Sequence, residues 1–293
     1  TRRGPMTRTV LQQFPAQRDD IGDLITRRPL PGPGIEHLDP FLFLNHHGPQ
    51  TYPRNNQGLP FGPHPHRGFE TVTFILQGEL SHLDSGGHES IIGAGGVQWM
   101  TAGSGLVHAE LSPQSFKREG GPLEILQLWV NLPARLKMTA PAYVGLQGAD
   151  IPTITEPLAE VRLISGDYVS STQRSERGPI DSLTGLCLMT VHLQPGARLS
   201  LPAPVGQNVF LYVVDGQASI AGTALQCHHL VRLSETHDNV TVEATGSATL
   251  LYGHGEPLGE PVASYGPFVM NTREEIQQAF ADYQAGKFGH IQG

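Results

Sequence analysis

Two short phrases, His64-Pro65-His66 and His108-Ala109-Glu110, have the residue types and spacing of a metal site. Side chains two apart on a strand project to the same face. Two such strands side by side aim three imidazoles and a carboxylate at one point. That donor set suits Fe, Mn, Co, Ni, Cu or Zn and leaves positions open on a five- or six-coordinate ion. Open positions distinguish a reactive ion from a structural one, and no Cys lies near either phrase.

Other readings of these residues compete. His-Pro-His is also a plausible surface turn, and His108 a satisfied core histidine. Glu70 shares the strand parity of His64 and His66, so spacing alone does not separate it from Glu110 as the fourth donor. The adjacent pairs His46-His47 and His228-His229 point to opposite faces of any strand and cannot both hold one ion. His82 and His88 flank an Asp84–Gly87 turn and are expected to be exposed. His254-Gly255-Glu256 copies the second phrase, but no His-x-His stands opposite, so its residues are read as loop. Phe69 and Trp99 are read as core.

The elements that must position these groups are strands. Phe69–Leu76, Ser90–Ile92, Gly96–Met100, Gly105–Leu111 and Glu124–Asn131 alternate with Gly- and Pro-rich turns. The second half repeats the idea with Gly185–His192, Asn208–Val214, Asn239–Glu243 and Ala248–Tyr252. With Gly78 laid on Gly216, FETVTFILQGEL matches QNVFLYVVDGQA in pattern, and His64, His66 and Glu70 fall on Pro202, Pro204 and Asn208. The second half therefore reads as a duplicate without the ligands. Residues 131–141 read as a linker. A terminal helix is expected, capped by Asn271 with Glu274, carrying an apolar stripe of Ile276, Phe280 and Tyr283 and stopped by Gly286.

Composition narrows the function. With 35 Gly and 24 Pro in 293 residues, the chain is turn-rich and strand-rich. Its net charge of −8, without a basic run, argues against direct nucleic-acid binding. Two cysteines, Cys187 and Cys227, form no CxxC pattern, so a reduced compartment is expected. Thr1–Pro5 are polar, so no signal peptide is expected, and Met6 is a candidate start. No apolar run reaches membrane-spanning length. The absence of a nuclear-type basic cluster leans toward the cytoplasm, with the nucleus open for a eukaryotic source.

Three stretches resemble the pirin family of the cupin superfamily: HPHRGFETVTFILQGEL at 64–80, GGVQWMTAGSGLVHAE at 95–110 and YGPFVMNTREEIQQAFADYQAGKFG at 265–289. The resemblance implies an all-β bicupin of two stacked antiparallel, jelly-roll-type β-barrels with a short C-terminal helix. On that frame, residues 1–135 form the metal-binding barrel, 136–270 a barrel without ligands, and 271–293 a helix and tail docking on the barrels. It also implies one divalent ion, commonly iron as Fe(II), held by His64, His66, His108 and Glu110, with Glu70 behind the ligands. Pirins often carry an acidic residue after the PFL phrase, where this chain reads Leu44-Asn45-His46-His47; substrate contacts there are expected to differ.

The function implied is that of a quercetin 2,3-dioxygenase, which opens a flavonol ring with O₂ and releases carbon monoxide, with Glu110 as ligand and general base. An alternative is a redox-responsive regulator that binds transcriptional or metabolic protein partners. A third is a metal that only stabilises the fold. Monomers are expected by resemblance alone.

Overall fold

The computed structural model describes residues 4–292, and most of its elements are strands. Of the Thr1–Pro5 segment discussed above, residues 1–3 lie outside the described residues. No helix among the described residues is long and apolar enough to cross a membrane. Neither Cys187 nor Cys227 forms a disulfide.

The chain forms two compact units. One gathers Arg18–Arg27, Phe41–Asp150 and the segment from Leu258 onward. The other gathers the segment up to Gln17, Arg28–Pro40 and Ile151–Pro257. These limits differ from an even division at 135 and 270, and strand pairing is the reason. Val10–Pro15 pairs antiparallel with His229–Leu233 in the ligand-free unit. Ala142–Leu146, placed beyond the linker by sequence, pairs with Val97–Thr101 of the first of these units. Nor are residues 131–141 a free linker. They hold a 3₁₀ turn, Ala134–Leu136, and two buried polar residues, Asn131 and Lys137.

In the unit that carries His64, His66 and His108, Phe69–Gln77 lies between Val97–Thr101 and Gly121–Asn131 in a seven-stranded sheet. A four-stranded sheet holds Phe61–His66, Leu106–Leu111, Glu79–Asp84 and Glu89–Gly93 in that order. Ile75, Leu123 and Ile125 of the first sheet share a core with Leu80 and Ile92 of the second. Each sheet keeps two edges, so hydrogen bonding does not close the expected barrels. The ligand-free unit is a nine-stranded sheet around Val161, Val191, Leu211, Val213 and Leu250, all buried. Its long strands Asn208–Ile220 and Asn239–Gly255 pair along most of their length. Gly78 and Gly216, equated by sequence, have φ of 87° and 90°. Both stand where a Cβ would collide with a backbone oxygen, of Pro122 and Ser247 respectively.

The terminal helix spans Arg273–Gln284, and its cap is shifted by one residue. Thr272 Oγ1 accepts from the Glu275 amide, and Glu275 Oε1 accepts from the Asn271 amide at 3.3 Å. Thr272 and Glu275, rather than Asn271 and Glu274, therefore form the capping box. The buried side carries Ile276, Ala279 and Asp282, while Tyr283 stays 41% exposed. A second short helix, Gln114–Glu119, was not signalled by the sequence.

Candidate metal centre

The site is built on two neighbouring strands. His108 pairs directly with His64, and Leu106 with His66. Direct partners across an antiparallel pair share a face, so three imidazoles meet. Their ring centroids lie 4.3 to 4.9 Å apart, and one nitrogen from each falls within 4.8 Å of the others. Among the described residues this is the one cluster of His, Cys, Asp and Glu able to share an ion.

Hydrogen bonds orient two of the rings. His64 Nδ1 donates to the Gly62 carbonyl at 2.7 Å, and His66 Nδ1 to the Pro267 carbonyl at 3.1 Å. Because a carbonyl only accepts, both rings carry their proton on Nδ1 and leave Nε2 as the lone-pair nitrogen. His108 differs. Both of its ring nitrogens are buried without a hydrogen-bond partner. A buried imidazole with nothing to bond is costly, and an ion shared with His64 and His66 would remove that cost. The donor set therefore fits a divalent transition metal.

Glu110 stands beside the cluster. A bulge between His108 and Glu110 shifts its pairing to Phe61. Its Oε1 comes within 3.5 Å of His108 Nδ1, and Gln127 Nε2 donates to both carboxylate oxygens at 2.9 and 2.8 Å. Trp129 Nε1 in turn donates to Gln127 Oε1 at 3.2 Å. Glu70 is engaged elsewhere. It is 1% exposed, and one oxygen accepts from Trp99 Nε1 and Thr101 Oγ1. Glu110, and not Glu70, lines the cleft with His64 and His66.

Burial sets the electrostatics. Desolvation lowers the pKa of His64, brings His66 to about 3 with help from His64, and holds His108 well below the usual range. All three rings are therefore neutral, as ligands must be. The same desolvation pushes the Glu110 carboxyl up to about 7, against the pull of the Gln127 hydrogen bond.

The cleft over the site has a volume of about 230 Å³. Phe43, Phe61 and Trp129 supply aromatic walls, and Asn45, His47 and Gln127 polar ones. Phe43 and Phe69 each lie 4.5 Å from the Trp129 ring. Larger clefts of about 490 and 400 Å³ occur in the ligand-free unit, but no cluster of metal-binding side chains lies in either.

Other histidines depart from their sequence readings. His82, expected to be exposed, is 1% exposed, bonded to Asp84 at 2.7 Å and stacked 3.9 Å from Tyr143. His88 is exposed, as expected. His46 and His47 do face apart: His46 pairs with Glu124 at 2.7 Å, while His47 enters the cleft with Nδ1 on Thr26 Oγ1. His254 lies on the strand Asn239–Gly255 and not in a loop, and its Nδ1 bonds to Gln207 Oε1. Pro202, Pro204 and Asn208 supply no imidazole opposite it. Sequence reasoning missed His47, Gln127 and the Pro267 carbonyl. A polar residue inside the apolar strand Glu124–Asn131 was the available signal for Gln127.

Comparison with known proteins agrees with this architecture. The Pirin family model matches residues 23–130, and the Pirin C-terminal cupin domain model matches residues 188–289. A Pseudomonas aeruginosa protein provisionally named quercetin 2,3-dioxygenase is 41% identical over 255 residues, 86% of this chain and 87% of its own. A pirin-like protein of Solanum lycopersicum is 37% identical over 289 residues, covering 96% of this chain and 93% of its own. A crystal structure described as quercetin 2,3-dioxygenase from Acinetobacter baumannii superposes with a TM-score of 0.90 at 34% identity, covering 98% of this chain and all of that one. With both halves matched in order and the fold shared end to end, this chain is a bicupin and belongs to the pirin family.

Proposed function

We propose that this protein is a metal-dependent dioxygenase of the pirin type, which opens the ring of a flavonol such as quercetin with O₂ and releases carbon monoxide. The observation that carries the reading is the convergence of His64, His66 and His108, of which His64 and His66 line an aromatic-walled cleft together with the buried carboxylate of Glu110. His64, His66, His108 and Glu110 would hold the ion, with Fe(II) the first candidate. When bound, such an ion supplies Lewis acidity toward an enolate and access to O₂ chemistry.

The chain's own residues do the rest. Phe43, Phe61 and Trp129 offer flat apolar faces to a planar substrate. Glu110, a buried carboxylate beside the histidines, is the group placed to accept the proton of a flavonol 3-hydroxyl. Gln127 fixes that carboxylate in place. The names of the Pseudomonas and Acinetobacter relatives support the substrate class.

The test is quercetin loss by absorbance together with O₂ uptake. It uses metal-free protein and protein reloaded with Fe(II), Mn(II), Co(II), Ni(II) or Cu(II). Metal-dependent turnover that disappears in Glu110→Ala supports the reading and names a competent ion. Metal binding without turnover by any ion sinks the flavonol assignment and moves the reading to another substrate or to a regulatory protein.

A further inference from the structure

His66 and Arg67 are neighbours in sequence, and both are tied to the C-terminal segment. His66 Nδ1 donates to the carbonyl of Pro267, 201 positions later. Arg67 Nη1 donates to Asp282 Oδ2 at 2.8 Å on the terminal helix. Its Nε donates to the Ser104 carbonyl at 2.7 Å, in the turn that leads into the strand of His108. The Phe288 ring lies 4.8 Å from the guanidinium. The backbone is tied as well: the Val269 amide donates to the Arg67 carbonyl at 3.0 Å. Lys137 Nζ bridges the carbonyls of Gly68 and Val269, each at 2.9 Å.

The side chains of Arg67 and Asp282 are only 6% and 11% exposed. A buried ion pair gives little net stability, because desolvation offsets the attraction. Its planar, directional hydrogen bonds do fix geometry. Here the fixed elements are the backbone immediately after a metal-site histidine and the turn before another.

On the reading of His64, His66 and His108 as ligands, we propose that Asp282, acting through Arg67, is a positioning residue for the metal site. It holds the guanidinium against Ser104 and so keeps the His66 and His108 strands in the register that brings their imidazoles together. Since linkage is reciprocal, an ion that favours this register also favours the docked terminal helix.

The test compares the whole chain with Asp282→Asn, Arg67→Gln, the double variant, and Glu274→Gln as an exposed control on the same helix. Ni(II) is titrated into metal-free protein by calorimetry, and amide exchange of residues 263–284 is followed with and without Ni(II). The expected result is Ni(II) binding weakened about 10-fold in Asp282→Asn, as for other groups behind metal ligands. Arg67→Gln and the double variant should match it, because residues acting in series do not add. Ni(II) should slow exchange of the helix in the wild type, and much less in Asp282→Asn.

Unchanged affinity in a folded Asp282→Asn overturns the proposal, and so do additive single effects. If Asp282→Asn does not fold, Phe288→Leu loosens the same guanidinium while keeping Asp282, and unchanged affinity there overturns it equally. A wild type that binds no Ni(II) or other divalent ion removes the metal reading itself, a different failure.

Discussion

Gln127 holds Glu110 by both carboxylate oxygens, and Trp129 holds Gln127 by its amide oxygen. The three form a line from the aromatic wall of the cleft to the carboxylate beside the histidines. A hydrogen bond to a charged group is worth about 1.5–3 kcal/mol. Gln127→Leu should therefore lower kcat about 10- to 100-fold, with KM little changed, since the amide is already spent on Glu110. Trp129→Phe keeps an aromatic ring in the cleft wall while losing the indole N–H and the fused five-membered ring, and its effect on kcat should be several-fold smaller. Steady-state kinetics on the metal-loaded protein reads both. A Gln127→Leu effect confined to KM would assign the residue to substrate binding.

The histidine cluster and its neighbouring carboxylate were legible because their signal is local. His64-Pro65-His66 and His108-Ala109-Glu110 declare themselves by a two-residue period, and a strand turns that period into a shared face. What a sequence cannot carry in the same way is a backbone partner from far away. The carbonyl of Pro267 that orients His66 has no residue signature. His47 was set aside because adjacent histidines diverge, and they do; its own face simply opens into the cleft. Nothing local marks Val10–Pro15 as part of the second-half sheet, and only its pairing with His229–Leu233 places it there. The helix was found and its cap misplaced by one residue, because Asn271-x-x-Glu274 and Thr272-x-x-Glu275 are both capping patterns.

Acid should destabilise the ligand-free unit through His254. Burial, aided by the charge of Arg8, lowers its pKa from the usual 6.5 to about 4. The folded state thus prefers the neutral ring, and the unfolded chain takes up a proton first as pH falls. The stabilising contribution is full above about pH 6.5 and is lost between there and pH 4, up to about 3 kcal/mol. Denaturant unfolding at pH 8, 6.5, 5.5 and 4.5 should show a shallower pH slope for His254→Leu than for the wild type, whatever their difference at pH 8. Parallel slopes would count against the assignment.

Two glycines of the C-terminal return should respond differently to alanine. Gly68, φ 95°, would place a Cβ 1.9 Å from the Val269 carbonyl oxygen. Gly266, φ 55°, has nothing within 4 Å of its would-be Cβ. Gly266→Ala should cost only the left-handed backbone term, about 1 kcal/mol. Gly68→Ala adds a backbone collision and should cost on the order of 3 kcal/mol or more. Denaturant midpoints of the two variants give the comparison, and equal costs would contradict it.

His108 provides a test in which the sign of a mutational effect depends on metal. Neither buried ring nitrogen has a hydrogen-bond partner, and Nδ1 has only the Glu110 carboxylate at 3.5 Å, so the metal-free protein carries their desolvation cost, about 1–3 kcal/mol for an unsatisfied group. Replacing the ring by an apolar side chain removes that cost. His108→Leu should therefore be neutral in the metal-free protein, or more stable by up to about 2 kcal/mol. With Ni(II) at a hundred times its dissociation constant, the wild type should gain about 2.7 kcal/mol from binding and the variant much less, so the order reverses. His46 is the control, because its Nε2 already bonds Glu124 at 2.7 Å. Its replacement by Leu leaves the buried Glu124 carboxylate with only the long 3.5 Å bond from Gln77 Nε2 and should destabilise the protein equally with and without metal. Thermal melts of the three proteins, stripped by chelator and then reloaded, distinguish the cases. A His108→Leu that is strongly destabilising without metal would mean that the imidazole is satisfied by the fold itself, and the metal reading would lose its principal structural support.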